Sequence, residues 1–102
     1  MSNLQDIRRA AVVLAEYANE TSKSKVTWEP DDFAYDAENV VDAMVILPVV
    51  FEYGTPRQVL EDDVVETMSL GGFNFSPWHL PGAVGAVFDE LAADMQLVEE
   101  AE

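Results

Sequence analysis

The sequence predicts a mainly α-helical fold with about four helices, on three kinds of observation. Apolar residues recur at spacings of three and four in several segments, which is the period of an amphipathic helix. Prolines stand where helices begin, and glycines stand where they end. A chain of 102 residues with 49% hydrophobic residues has the size and apolar content of one folded unit, so we expect a single acidic domain over residues 1–102.

The first predicted helix runs from about Asn3 to Asn19 and begins after Ser2, a residue type that caps helix N-termini. The polar run from Glu20 to Lys25 predicts a loop after it. The buried face of this helix is expected to hold apolar residues at helical spacing, which are Leu4, Ile7, Ala11, Leu14, Ala15 and Ala18.

A helical turn is predicted at Pro30, because proline suits the first helical position and the two acids after it favour the positive end of the helix dipole. Asp36 is a second candidate cap and leads into a helix over residues 37–46. Pro48 is expected to end or kink that helix near Leu47. The expected buried face consists of Val40, Val41, Met44 and Val45.

Residues 45–51, with the sequence VILPVVF, are ambiguous between helix and strand. Their β-branched residues favour a strand, whereas a central proline disfavours one because it cannot donate a ladder hydrogen bond. We expect a kinked helix followed by a short turn that closes at Gly54. The alternative is a short strand, which would make the fold α+β.

The third helix has the clearest local signal, because Thr55, Pro56 and Gln58 combine a cap, a proline at the first helical position and a capping-box glutamine. It is predicted to run from Pro56 to about Leu70 and to stop at Gly71 and Gly72. Its expected buried residues are Val59, Leu60, Val64 and Met68. Its expected acidic outer face consists of Glu61, Asp62, Asp63 and Glu66.

Residues 73–80, FNFSPWHL, predict a loop rich in aromatic residues, and Pro81 opens the last helix. Gly82 and Gly85 are expected to allow close packing of this helix. Its buried face is predicted to contain Val84, Val87, Phe88, Leu91, Ala92, Met95 and Val98. The acids expected on its outer face are Asp89, Glu90 and Asp94.

Charge is distributed unevenly along the chain. Residues 1–27 carry four of the five cations against three acids, whereas residues 28–102 carry seventeen acids against Arg57 alone, for a net charge of −15. Such a surface repels nucleic acid and anionic lipid, because binding phosphate groups requires Lys and Arg. We therefore expect no direct binding to nucleic acid or membrane. A basic protein or a divalent cation is the natural complement.

Several classes of protein are disfavoured by what the sequence lacks. There is no cysteine, which excludes disulfides, thiol nucleophiles and zinc–thiolate sites. The N-terminal residues do not follow a signal-peptide pattern, and no apolar stretch approaches the length of a membrane span. We expect a soluble, cytoplasmic protein.

The stretch WEPDDFAYDAEN, residues 28–39, resembles a calcium loop in its acid content but not in its spacing. An EF-hand loop needs oxygen ligands at positions one, three and five and a glycine at position six, and neither Asp31 nor Asp32 as the first ligand gives that pattern. A looser cation site at Asp32, Asp36 and Glu38 remains an alternative. With no nucleotide loop and no arrangement of Ser76 and His79 typical of hydrolases, we predict neither an enzyme nor a cofactor.

The acidic surface itself is the remaining functional signal. Rows of carboxylates beside aromatic anchors would suit an inhibitor that imitates nucleic-acid charge and occupies a basic groove, as small phage-encoded antagonists do. The alternatives are an assembly subunit that docks through its aromatic loops and an adaptation to high salt. The candidate partner-binding residues are Trp28, Asp31, Asp32, Phe33, Tyr35, Asp36, Glu38, Glu61, Asp62, Glu66, Phe75 and Trp78.

Overall fold

The protein is mainly α-helical in the computed structural model, which describes residues 4–21, 25–50, 56–70 and 79–95. The helices are α1 (Leu4–Thr21), α2 (Ala34–Val50), α3 (Arg57–Leu70) and α4 (Leu80–Leu91). A short 3-10 turn, Pro30–Phe33, precedes α2 directly. No strand occurs in these residues, so the predicted helical fold is confirmed, and the alternative of a strand is wrong for residues 45–50.

The helices pack as a ring in chain order. α1 contacts α2 and α4, and α3 contacts the same two helices from the other side. Arg9, near the start of α1, bonds to Glu90 near the end of α4, while Tyr17, near the end of α1, lies over Gly82 near the start of α4. α1 and α4 are therefore antiparallel, and α4 closes the ring.

One hydrophobic core receives side chains from all four helices and from the 3-10 turn. Its members follow the helical period of the sequence, because only one face of each helix points inward. The predicted buried residues that are buried in the structure are Ala11, Leu14, Ala15, Ala18, Val40, Val41, Met44, Leu60, Val64, Met68, Val84, Val87, Phe88, Leu91 and Ala92. Ile7 and Met95 are half-buried against the same core.

Three residues that were predicted to be buried are exposed, namely Leu4, Val45 and Val59. Leu4 is the first residue of α1 and therefore lies at the N-terminal end of the helix. Val45 and Val59 each adjoin a buried residue in sequence, and a step of one residue rotates the side chain by about 100° around the helix. Val45 and Val59 were predicted to be buried because they are apolar, although their positions place them outside the buried faces of their helices.

The boundaries of α2 differ most from the predicted ones. Asp36 lies inside the first turn rather than at the cap, because the 3-10 turn continues into the helix at Ala34 with helical dihedral angles, φ −57° and ψ −45°. α2 also passes Pro48 and ends at Val50, so of the two predicted effects of Pro48 an end of the helix near Leu47 is wrong, and a kink stays a prediction. α1 extends to Thr21 and takes in the first two residues of the predicted loop.

Some predictions fall on parts of the chain outside the described residues. They are the caps at Ser2 and Thr55, the helix stops at Gly54, Gly71 and Gly72, the aromatic residues 73–78 and the buried position of Val98.

Gly82 and Gly85 permit close packing around α4, as predicted. A Cβ atom at Gly82 would overlap the hydroxyl of Tyr17 and lie 2.9 Å from its Cζ atom. A Cβ atom at Gly85 would lie 3.0 Å from a carboxylate oxygen of Glu61 on α3. Glycine therefore lets side chains from both neighbouring helices reach the surface of α4.

The segment that connects α1 to the 3-10 turn is tied to α1 by Asn19. The Asn19 amide nitrogen donates to the Trp28 carbonyl at 3.0 Å, and the Trp28 N–H donates to the Asn19 amide oxygen at 2.8 Å. The half-buried Trp28 ring then packs 5.5 Å from the ring of Phe33. This bidentate bond fixes the direction in which the chain enters α2.

We predict that Gly82→Ala lowers the free energy of unfolding by about 1 kcal/mol, because the new methyl group has to displace the packed Tyr17 ring. In a Tyr17→Ala background the same substitution should instead stabilise the protein by about 0.5 to 1 kcal/mol, since alanine is the better helix former. Urea unfolding of the four proteins measures both values. An effect of Gly82→Ala that does not depend on residue 17 would contradict the packing described above.

Asn19→Ala is expected to lower the free energy of unfolding by about 1 to 2 kcal/mol, because it removes both hydrogen bonds to the Trp28 backbone. Asn39→Ala is the matched control: the Asn39 side chain makes no hydrogen bond within the described part of the chain, so its replacement should be neutral or slightly stabilising. Thermal unfolding followed by Trp fluorescence compares the two. Equal effects would contradict the assigned role of Asn19.

Candidate functional site

Arg9 joins α1 to the C-terminal end of α4. Its guanidinium lies 2.9 Å from the Asp94 carboxylate and 3.2 Å from that of Glu90, and it donates to the Glu90 carbonyl at 3.0 Å. Asp6, one turn earlier in α1, lies 3.7 Å away. Hydrogen bonds to Asp94 and then to Glu90 raise the pKa of Arg9 above its ordinary value.

Arg57 makes the equivalent connection from α3. It contacts Asp89 at 2.5 Å and Glu61 at 3.0 Å, and it donates to the Gly85 carbonyl at 3.1 Å. Its guanidinium carbon also lies 5.9 Å from the centre of the buried Phe88 ring, a cation–π distance. The pKa of Arg57 is raised chiefly by the hydrogen bond to Asp89, against the lowering effect of burial.

The two arginines use their charge inside the domain. Within the described residues, every salt bridge involves Arg9 or Arg57, and together they engage five carboxylates, those of Asp6, Glu61, Asp89, Glu90 and Asp94. The other described cations, Arg8 and Lys25, are exposed and form no ion pair in this part of the chain. Positive charge is therefore concentrated at the contacts of α4.

Acids recur at positions i and i+4 along the chain, and within a helix such side chains lie about 5 to 6 Å apart on one face. The pairs are Glu16 with Glu20 on α1, Glu38 with Asp42 on α2, Asp62 with Glu66 on α3, and Glu90 on α4 with Asp94, three residues beyond the end of that helix. Arg9 bridges this last pair. The other three pairs form no ion pair within the described residues, and we refer to them as the unbridged pairs.

The unbridged pairs work against folding. Like charges at this spacing destabilise a helix by about 0.2 to 0.5 kcal/mol per pair. Glu20 also lies in the last turn of α1, where the helix dipole disfavours a negative charge. In the α3 pair, the Gln58 amide donates to the Asp62 carboxylate at 2.8 Å, which leaves the charge of the pair unchanged.

Five of the predicted partner-binding residues serve the fold. Phe33 and Asp36 are each 2% exposed, so the prediction that they lie on a binding surface is wrong. Glu61 is half-buried and turned towards Arg57, so its predicted place on the outer face is wrong as well. Trp28 is half-buried against the core, and the Asp32 carboxylate accepts the Glu29 N–H at 2.8 Å in a capping box.

The remaining predicted residues divide into two groups. Asp31, Tyr35 and Glu38 are exposed on the 3-10 turn and the beginning of α2, and Asp62 with Glu66 is exposed on α3, the helix that packs beside α2. Phe75 and Trp78 lie outside the described residues.

Sequence reasoning missed four residues that matter here, namely Asn19, Glu16, Glu20 and Asp42. The acids carry a detectable signal, which is the spacing of i and i+4 within a predicted helix. Asn19 carried none, because its partner is a backbone group nine residues later in the chain.

Metal binding was tested on the acidic side chains that the structure describes. Among the described residues, no group of three or more His, Asp or Glu side chains is placed to hold a metal ion. The alternative of a loose cation site at Asp32, Asp36 and Glu38 is therefore wrong, since Asp36 is buried while the other two residues face solvent. In the same parts of the chain, no helix combines the length and the apolar character needed to cross a membrane.

No protein-family model, curated protein or solved structure matches this chain. Its function therefore has to be inferred from its own surface, in which the unbridged pairs are the feature that folding does not explain.

We predict that Glu16→Gln combined with Glu20→Gln raises the free energy of unfolding by about 0.5 to 1 kcal/mol at low salt, because it removes a repulsive pair and a charge near the negative end of α1. The gain should shrink in molar salt, which screens exposed charges.

The matched control is Glu90→Gln combined with Asp94→Asn, which removes the same charge from the bridged pair. This variant should have a lower Tm than the unmodified chain, because Arg9 loses two carboxylate partners. Thermal unfolding at low and high salt compares the two variants. If the Tm rises in both variants, or falls in both, bridging by Arg9 does not decide whether a pair of acids stabilises the fold.

Proposed function

We propose that this protein is a small non-enzymatic inhibitor that imitates the charge of a nucleic acid and occupies the basic groove of a nucleic-acid-binding protein. The observation that carries the proposal is the set of unbridged pairs on α1, α2 and α3. Their acids destabilise the helices that bear them, while Arg9 and Arg57 are held at α4. A positively charged partner supplies a reason for keeping them.

The placement of the carboxylates on a folded backbone supports this proposal. A protein that follows duplex DNA meets about one negative charge per 1.7 Å of the helix axis, and it binds them with Lys and Arg fixed in a groove. The helices that carry these carboxylates are already folded and packed, so binding has to order only their side chains. One pair per helix supplies a lower charge density than DNA does, so we propose that acids of neighbouring helices act together.

The net charge of the chain supports the same reading through the rate of association. A charge of −15 on 102 residues attracts a basic groove over distances of about a Debye length, roughly 8 Å at physiological salt. Such steering raises association rates by 10-fold or more, to about 10⁸ per molar per second in favourable cases. An inhibitor of this kind acts in the compartment of its target, for which we propose the cytoplasm.

A second candidate function is that of an assembly subunit that docks through apolar contacts. The exposure of Tyr35, Val45 and Ile46 on α2 favours it. Against it, two of the aromatic residues that suggested such docking, Trp28 and Phe33, pack together inside the domain. We therefore propose the charge-based function first.

The proposal is tested by recovering partners from a cell extract on the immobilised chain and competing them with duplex DNA. We expect a nucleic-acid-binding protein that DNA displaces and whose affinity, measured with the purified partner, falls at least about tenfold between 0.05 and 0.2 M salt. A variant with Glu38→Gln, Asp42→Asn, Asp62→Asn and Glu66→Gln should lose most of this binding.

The control for that variant is a chain with four neutral substitutions among the acids that Arg9 and Arg57 engage, Glu90→Gln, Asp94→Asn, Asp89→Asn and Asp6→Asn, assayed where it is still folded. It removes the same charge from a different part of the surface and should bind more tightly than the first variant. A partner that is indifferent to DNA, or equal binding by the two variants, would reject nucleic-acid mimicry. Stability that increases steadily into molar salt, without any such partner, would instead support adaptation to high salt.

A further inference from the structure

The outer face of α2 combines exposed apolar side chains with acids. Tyr35 is 69% exposed, Val45 41% and Ile46 56%. Isolated apolar residues at a surface are ordinary, but these three share one side of a helix. At about 100° per residue, positions 35, 38, 42, 45 and 46 fall within an arc of about 100°. We call Tyr35, Glu38, Asp42, Val45 and Ile46 the α2 stripe.

The α2 stripe faces away from the protein. The opposite side of the helix carries Ala37, Val40, Val41 and Met44, which are completely buried against α1 and α3. Packing within the domain is therefore supplied by the other face, and the α2 stripe contributes nothing to the core. Its apolar ends enclose one of the unbridged pairs, Glu38 with Asp42.

We infer that the α2 stripe is a docking surface for a basic amphipathic helix of the partner protein, an inference that rests on the proposed function and names the part of the partner that is bound. Such a helix would place apolar side chains on Tyr35, Val45 and Ile46 and would direct Lys or Arg to Glu38 and Asp42. The distance from residue 35 to residue 46 is about 16 Å, the length of about three helical turns.

Charge complementarity selects this occupant over the others. A second copy of the chain would bring the same acids against Glu38 and Asp42, between two molecules that each carry −15. Nucleic acid and anionic lipid are repelled for the same reason. An uncharged apolar helix would leave the two carboxylates partly desolvated and unpaired. A helix with cations between its apolar residues satisfies both kinds of side chain.

Docking on the α2 stripe differs from charge mimicry alone in how binding responds to salt. Contacts between exposed charges weaken as salt is added, whereas burial of apolar surface does not. Binding through the α2 stripe should therefore keep part of its affinity at a salt concentration that abolishes binding through carboxylates alone.

The test uses the full chain, labelled with ¹⁵N, and two synthetic peptides of identical composition. In the first peptide, Leu and Lys are placed so that a three-turn helix has one apolar face; in the second, the same residues are arranged so that no helical face is apolar. We expect saturable binding of the first peptide, with amide shift changes centred on α2. Binding of the second should be at least about tenfold weaker, since it offers charge without an apolar face.

Variants of the chain locate the contact. Val45→Ser combined with Ile46→Gln should weaken binding of the amphipathic peptide at least about tenfold. The matched control is Leu4→Gln combined with Val59→Gln, which removes two exposed apolar residues from α1 and α3 and should leave the affinity within about twofold. Thermal unfolding confirms that both variants are folded, which is expected because all four side chains face solvent.

Equal affinity for the two peptides, equal weakening by the two variants, or shift changes spread evenly over α1, α2 and α3 would each overturn the inference.

Failure of the docking surface is distinguishable from failure of the proposed function. Selective binding of the amphipathic peptide to α2 supports the docking surface even when no cellular partner is displaced by DNA. A DNA-displaced partner whose binding ignores Val45 and Ile46 supports mimicry and overturns the docking surface.

Discussion

The contact between α4 and the two arginines beside it is the constraint on which the rest of the structure depends. Arg9 reaches α4 from α1, and Arg57 reaches it from α3. Both also donate to backbone carbonyls of α4, Arg9 to Glu90 in its last turn and Arg57 to Gly85 in its middle, while Asp89, Glu90 and Asp94 lie in or just after that last turn. Without these cations, the ring of helices would close on a concentration of negative charge.

This use of positive charge divides the surface of the domain. Where α4 meets its neighbours, carboxylates are paired and contribute to the fold. On α1, α2 and α3, the acids of the unbridged pairs are exposed except for the half-buried Asp42, and they form no ion pair within the described residues. The same residue types thus have two roles, and the difference lies in whether an arginine is within reach. The proposed binding function belongs to the second group, and the apolar residues of the α2 stripe give that group a place where a partner can be held after charge has attracted it.

The sequence predicted the parts of the fold that depend on local period, and it failed where distant contacts decide. Leu14, Val64 and Phe88 were placed correctly inside because the helical period alone specifies their face. Phe33 and Asp36 were misplaced, because a buried aromatic ring and a buried acid within an acidic stretch look like a solvated turn until α1 is packed over them.

The candidate site was predictable to a similar extent. The acids Glu38, Asp62 and Glu66 are exposed as the sequence indicated, and the spacing that pairs them is visible in the chain itself. The inward direction of Glu61 was not predictable, since it depends on the antiparallel approach of α4 and on Gly85, whose lack of a side chain leaves room for a carboxylate. Tertiary packing, rather than local propensity, decides which acids remain available to a partner.

The bridge from Arg9 to Glu90 joins residues that are 81 positions apart, so this contact between α1 and α4 can form only when nearly all of the described chain has been made. During synthesis at the ribosome, α1, α2 and α3 emerge with their shared apolar face still open on the side that α4 later covers. Contacts of this separation slow folding relative to bundles whose contacts are local. Until α4 packs, the core is incomplete, and like charge on separate copies disfavours their association.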